Sequence, residues 1–374
     1  MLKRLLAVFT AMLLTLATFA FAAELRGDHP STYTVRKGDT LWDISARFLT
    51  KPWLWPEIWQ ANPQVKNPHL IYPGDVLSLE YLNGQPVLTS RQEPQVHVSD
   101  AVTAIPLAQV EPFLKQLTVV DDIKSLPYVV GLEEDRLLST SGQTAFVRGL
   151  AGAQPGQKVQ IARPINLYAL GTIKRGHYTG GLSVLDFRGD PTHRHWSSVD
   201  SKGEAHGTPI GYELMAQGIG EVTQVQGDVA TVLLTGGGRD VRVGDRVLPP
   251  PADYDAQFLP QPPASVPEAA FVLAVADGEY AAGPRSVVAL SIGARDGVRN
   301  GTTFSIWHDG ALRPDTVAHR NLISAKGDKV AMPDSYVGHV MVFRTFDKVS
   351  YGLIMDGIRP ARVGDYIKHP DAVQ

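Results

Sequence analysis

Residues 33–79, YTVRKGDTLWDISARFLTKPWLWPEIWQANPQVKNPHLIYPGDVLSL, decide the fold of the N-terminal part of the chain. Apolar and polar residues alternate over 33–36, which predicts a short strand. Apolar residues at three- to four-residue spacing predict a helix over 41–48, and Pro56 begins a second helix. A turn at 72–75 leads into a final strand. The predicted order is strand, helix, helix, strand.

The phrases KGDTLW (37–42) and NPHLIYPGDVL (67–77), in this βααβ order, resemble the LysM domain. The resemblance implies a small α+β domain over residues 30–82 that binds glycans containing N-acetylglucosamine, chiefly peptidoglycan. The sugar is expected between the loop after the first strand and the loop before the second, where backbone groups meet its acetamido group. The resemblance assigns glycan binding to Gly38, Asp39, Thr40, Leu41, Pro68, Leu70, Ile71 and Tyr72.

The segment between the two helices is rich in tryptophan. Trp53 and Trp55 have two open interpretations: they stack on sugar rings, or they fill the core of a domain that is otherwise too small to be stable. For Trp42 and Trp59 we expect the core.

The first 22 residues have the pattern of a signal peptide. Lys3 and Arg4 precede an apolar run over 5–21, and Ala20-Phe21-Ala22 matches a cleavage site. A transmembrane anchor is the alternative, but no basic stop-transfer residues follow the run. Cleavage removes two positive charges, so the formal charge changes from −3 to −5 (−3 minus 2). We therefore expect a secreted protein of the periplasm, associated with the cell wall.

The composition excludes several classes of protein. The chain has no cysteine, so it has no disulfide and no cysteine for a lipid anchor. With 35 basic and 38 acidic residues and no basic stripe, nothing indicates nucleic-acid binding. A hydrophobic content of 44% is typical of globular protein.

The remainder of the chain is predicted to be mainly β, in a multidomain protein. Residues 83–118, rich in Gln, Pro, Ser and Thr, are expected to be a linker. Short strands bounded by Gly, Ser or Pro follow over 119–248. Seven prolines over 249–267 predict a second, extended linker. Residues 268–374 are expected to form a C-terminal domain of short strands.

One phrase occurs near the end of both predicted β-domains: VRVGDRVL (241–248) and ARVGDYIK (361–368). It predicts a tight turn, with glycine at positive φ, that leads into a closing strand. Two related or similarly built β-domains are one interpretation; unrelated domains with a common turn are the other.

A wider resemblance includes the C-terminal region. A signal peptide, one LysM domain and a β-rich tail that contains GARDGVRNGTTFSIW (293–307) are together similar to the LysM proteins of proteobacteria associated with the type IV pilus secretin. This resemblance implies an anchor: the LysM domain holds peptidoglycan, and the β-domains hold the outer-membrane secretin.

The main alternative is a LysM-targeted wall hydrolase. Thiol chemistry is excluded because the chain has no cysteine. His193 and His195 form the best metal candidate, for a zinc-dependent endopeptidase, but no His-x-x-x-Asp precedes them. We therefore predict a protein that is not an enzyme and has no catalytic residue, metal or cofactor. A general wall-binding envelope protein without a secretin partner is the further alternative.

Overall fold

The structure, a computed structural model, describes residues 23–60, 71–82, 85–91, 102–174, 177–185, 196, 207–251, 258–276, 281–310, 312–315, 317 and 329–372. The predicted signal peptide and the candidate residues Pro68, Leu70, His193 and His195 lie outside the described residues. The chain divides into two compact units, an N-terminal unit (1–104) and a C-terminal unit (105–374). None of the described helices is both long and apolar enough to cross a bilayer.

The N-terminal unit contains two helices and a three-stranded antiparallel sheet in the order β1-β2-β3. Leu41, Ile44 and Phe48 lie on one face of the first helix and are fully buried, as the helical spacing predicts. A 3-10 turn (Pro52–Leu54) separates the helices. The elements are β1 (Thr32–Thr34), α1 (Leu41–Phe48), α2 (Trp55–Gln60), β2 (Val76–Leu82) and β3 (Gln85–Arg91).

The predicted linker 83–118 differs in the structure. It contributes β3, whose Val87 and Leu88 are buried, and the helix α3 (Leu107–Lys115) of the C-terminal unit. The polar composition of this segment obscured its short apolar stretches, because these have packing partners only in the folded protein.

The first part of the C-terminal unit is a β-barrel. Six of the described strands close a ring in the order β5-β6-β12-β11-β7-β13, because β7 pairs with β11 and β13 pairs with β5. Its strands, with the additional β4 and β8 to β10, are β4 (Leu117–Val120), β5 (Tyr128–Leu132), β6 (Thr144–Arg148), β7 (Lys158–Leu170), β8 (Ile173–Lys174), β9 (His177–Tyr178), β10 (Gly181–Val184), β11 (Thr208–Gln226), β12 (Val229–Gly236) and β13 (Arg246–Leu248).

A second barrel follows. Six of its described strands have the order β14-β15-β20-β19-β16-β21, and a bridge between Phe271 and Tyr366 closes the ring. Its strands, with the separate hairpin β17–β18, are β14 (Val272–Val275), β15 (Val287–Leu290), β16 (Thr303–His308), β17 (Leu312–Pro314), β18 (Lys329–Ala331), β19 (Ser335–Thr345), β20 (Ser350–Gly357) and β21 (Tyr366–Lys368).

The two barrels have the same topology. When the six ring strands are numbered along the chain, both rings have the order 1-2-5-4-3-6. The repeated Arg-Val-Gly-Asp turn occupies the same place in both, just before the last strand. The Gly244 amide donates to the Val129 carbonyl at 2.9 Å, and the Gly364 amide donates to the Val272 carbonyl at 2.8 Å. The barrels are therefore similarly built, which was the first interpretation of the recurring phrase.

Both barrels belong to one compact unit and pack on each other. The Arg344 guanidinium, on β19, donates to the Phe113 carbonyl at 2.9 Å and to the Leu114 carbonyl. These carbonyls belong to the last turn of α3, where a helix leaves its own acceptors without partners. Tyr178, on the β8–β9 hairpin that follows β7, packs against Phe271 at a ring-centroid distance of 4.8 Å.

Candidate functional site

The loop after β1, which the sequence assigns to glycan binding, is a Gly-Asp turn. Gly38 has φ +91°, a conformation that favours glycine. The Asp39 Oδ2 atom accepts hydrogen bonds from the Arg36 amide at 2.8 Å and from the Tyr33 hydroxyl at 2.7 Å. Burial raises the pKa of the Tyr33 phenol, so the phenol stays a neutral donor to this carboxylate. The Asp39 side chain thus holds the turn in shape.

The loop before β2 repeats this arrangement. Gly74 has φ +103°, and the Asp75 Oδ2 atom accepts from the Tyr72 amide at 2.9 Å. The Gly74 amide donates to the Val35 carbonyl, and the Val35 amide donates to the Asp75 carbonyl, both at 2.9 Å. Since Val35 directly follows β1, these two bonds bring both loops together at one end of the sheet.

Several predicted site residues are buried at this end. Leu41 and Ile71 are 0% exposed and Thr40 is 4% exposed, so they can offer a ligand little beyond backbone groups. The Thr40 hydroxyl is also engaged, because it accepts from the Asp43 amide in a capping box. Among the predicted site residues that the structure describes, those with exposed or partly exposed surface are Gly38, Asp39 and Tyr72.

The tryptophans belong to the core. Trp53 is 5% exposed and Trp55 is 1% exposed, and Trp42 and Trp59 are buried as well. The Trp42 and Trp53 rings lie 6.3 Å apart between centroids. Of the two interpretations for Trp53 and Trp55, this burial favours core packing over stacking on sugar.

A match to a known family lies in this unit. Residues 33–80 match the family model of the LysM domain. These residues are a LysM domain. LysM domains bind glycans that contain N-acetylglucosamine, so the domain implies glycan binding. A stretch of 60 residues is 38% identical to the uncharacterized protein YqbP of Bacillus subtilis (strain 168). That stretch covers 13% of this chain and 27% of YqbP, so the chain spans well under half of the relative.

The C-terminal unit contains a cluster of polar side chains around one buried carboxyl group, which the sequence did not reveal. Glu213, on β11, is 0% exposed. Its carboxylate accepts from the hydroxyls of Tyr168, at 2.6 Å, and Tyr351, at 2.5 Å. It also accepts from the Asn166 amide, at 2.6 Å, and from the Trp196 indole, at 2.9 and 3.1 Å. The four donors are uncharged groups from both barrels.

This cluster has the residue types of an acid–base site, but its carboxyl group is enclosed and links side chains of the two barrels, which is typical of a structural role. Perturbed carboxyl groups indicate catalysis when they lie in a cleft; the Glu213 carboxyl is instead enclosed by Trp196, Tyr168 and Tyr351. Phe113 packs on Trp196 and Tyr351 at centroid distances of 5.1 and 6.0 Å. Within the described residues, no group of three His, Asp or Glu side chains is arranged to hold a metal ion.

The unfolding free energy of the C-terminal unit is expected to depend on pH through Glu213. Burial raises the pKa of the Glu213 carboxyl above that of the unfolded chain. Its stabilising contribution is therefore complete below the unfolded-state pKa and is lost as the pH rises through the higher folded-state pKa. Urea unfolding across this range should show that the wild-type protein loses stability relative to Glu213→Gln, by at most about 1.4 kcal/mol per pH unit. If the free energies of unfolding of the two proteins changed with pH in parallel, the raised pKa of Glu213 would be contradicted.

Proposed function

We propose that this protein is a non-catalytic peptidoglycan-binding protein of the cell envelope. The observation that carries the proposal is the LysM domain of residues 33–80, with its two Gly-Asp turns joined at one end of the sheet. The backbone amides and carbonyls of these loops are suited to the acetamido group of N-acetylglucosamine, which is itself an amide. The compartment proposed is the periplasm, on the pattern of the first 22 residues.

We further propose that the C-terminal unit attaches an outer-membrane secretin of the type IV pilus type. The wider sequence resemblance motivates this partner. The fold offers a means of attachment: among the described strands, β4 pairs with β11 alone. A strand paired on one side can accept a strand from another protein on its other side. Copies arranged around a symmetric secretin ring would multiply a weak wall affinity.

Tyr72→Ala is expected to weaken sedimentation of the full chain with purified peptidoglycan sacculi by about fivefold, a loss of about 1 kcal/mol. Tyr72 is the partly exposed side chain of the loop before β2. Tyr81→Ala is the matched control, because Tyr81 is 63% exposed near the far end of β2. Asp39→Ala is a poor probe, since the Asp39 carboxylate holds its turn.

The same sedimentation assay tests the alternative functions. Equal sedimentation of both variants and wild type would argue against the assigned groove, and no sedimentation of wild type would refute wall binding. Release of soluble muropeptides would favour the wall hydrolase and direct attention to His193 and His195. Purified secretin added to the tubes should sediment only when this protein is present; if it does not, the general wall-binding protein is the better description.

A further inference from the structure

A short segment of the chain lies across the two loops that the LysM resemblance assigns to the sugar. The Val102 amide donates a hydrogen bond to the Ile71 carbonyl at 2.7 Å. The Leu41 amide donates to the Thr103 carbonyl at 3.1 Å. Val102 and Ala104 are 5% and 1% exposed, so their side chains are covered. Residues 102–104 therefore bridge one loop to the other.

The segment bonds to backbone groups of the two loops that the resemblance assigns to the sugar. Leu41 is the first residue of α1, so its amide has no acceptor within the helix; the Thr103 carbonyl supplies one. The acetamido group of N-acetylglucosamine has one carbonyl acceptor and one N–H donor. The segment presents the same pair, the Thr103 carbonyl and the Val102 amide, to the two loops.

We propose that residues 102–104 are an intramolecular strap that occupies the glycan groove and competes with the sugar. The proposal rests on the glycan-binding function proposed above. Because the Leu41 amide and the Ile71 carbonyl are engaged by the strap, a glycan can use them only in molecules whose strap has left. The apparent affinity of the protein is then lower than that of the open groove by the fraction of open molecules.

The strap belongs to the segment that joins the LysM domain to the C-terminal unit, since the units meet in sequence between Ala104 and Ile105. Release of the strap is therefore linked to the state of the chain that follows it. Tension on this joining segment, or a partner bound to it, can raise the affinity of the LysM domain for glycan without a change in the domain itself.

Two variants of the full chain and one control test the strap, with a hexamer of N-acetylglucosamine as the probe in calorimetric titrations. Val102→Pro removes the amide that donates to Ile71. Ala104→Glu places a carboxylate at a covered position. Both are expected to bind the hexamer about fivefold more tightly than wild type. Thr103→Ser keeps the backbone bonds and should bind as wild type does.

Hydrogen exchange of the wild-type protein gives a second measurement that does not depend on a variant. Saturating hexamer is expected to accelerate exchange at the Val102 amide, because the strap leaves when the sugar enters. Slow exchange at Val102 with the hexamer bound, or wild-type affinity in both strap variants, would overturn the strap and leave glycan binding intact. Failure of every variant to bind both the hexamer and sacculi would refute the glycan-binding function, and the competition with it.

Discussion

Glu213→Ala is expected to lower the unfolding free energy of the C-terminal unit by about 4 kcal/mol. The carboxylate is the common acceptor for the hydroxyls of Tyr168 and Tyr351. It is also the acceptor for the side chains of Asn166 and Trp196. Alanine leaves these donors buried without an acceptor, and each such donor costs about 1–3 kcal/mol.

The expected effect differs from that of removing one donor. Tyr351→Phe takes away a single hydroxyl and should cost about 1 kcal/mol. Glu213→Gln should fall between the two, because one acceptor oxygen is replaced by an amide NH2 group, a donor that faces other donors. Urea unfolding followed by near-ultraviolet circular dichroism measures all three.

Glu221→Ala is the control on the same strand. Glu221 is partly exposed on β11, so its loss should change the free energy of unfolding by about 0.5 kcal/mol or less. If Glu213→Ala were as mild as Glu221→Ala, Glu213 would not tie the two barrels together.

Gly364→Ala is expected to destabilise the C-terminal unit by about 3 kcal/mol, whereas Gly244→Ala should cost about 1 kcal/mol. The two glycines occupy the same turn in the two barrels, at φ +90° and +95°. A Cβ atom on Gly364 would lie 2.4 Å from the Tyr178 Cβ atom, while a Cβ atom on Gly244 has no neighbour within 4 Å. Thermal and urea unfolding of the two variants measure the difference.

A double-mutant cycle assigns that difference to its cause. Because the nearest atom is the Tyr178 Cβ, only Tyr178→Gly removes it. Gly364→Ala should therefore cost about 2 kcal/mol less in the Tyr178→Gly background than in wild type. An unchanged cost, or equal costs for the two glycines, would mean that the β8–β9 hairpin does not pack on the second barrel in solution.

The sequence was most informative where the deciding contacts are local. The spacing of Leu41, Ile44 and Phe48 predicted α1, and its apolar face is buried. The Gly-Asp phrase predicted a turn with glycine at positive φ, which the structure has at Gly244 and Gly364. In such a turn, the aspartate and the amide it binds are three residues apart, so one short phrase contains the whole interaction.

Contacts between distant parts of the chain could not be predicted in the same way. Nothing in the sequence marked Glu213, because Tyr351, one of its donors, is 138 residues away. Residues 119–248 were predicted to form short strands, but β7 and β11 are 13 and 19 residues long. Register shifts along their pairing let them bend and continue past Pro164.

In the predicted glycan site too, local contacts could be predicted from the sequence and contacts between distant residues could not. The two Gly-Asp turns are visible in the sequence, but their approach through Val35 depends on the sheet. The contact of residues 102–104 with Leu41 and Ile71 has no signal in the sequence, because it is made by backbone groups that every residue carries.

The pairing of first and last strands in each barrel has a mechanical consequence. The chain enters and leaves a barrel at neighbouring points, where the Val247 amide donates to the Pro127 carbonyl at 2.8 Å and the Ile367 amide donates to the Ala270 carbonyl at 2.9 Å. These strands are antiparallel, so the start of the first strand and the end of the last strand lie at the same end of the pair. Tension on the two ends of a barrel therefore breaks the hydrogen bonds between these strands one after another. We therefore expect the pairing of first and last strands to separate first under load. The Arg-Val-Gly-Asp turn, whose glycine amide donates to a carbonyl of the first strand, should resist that separation.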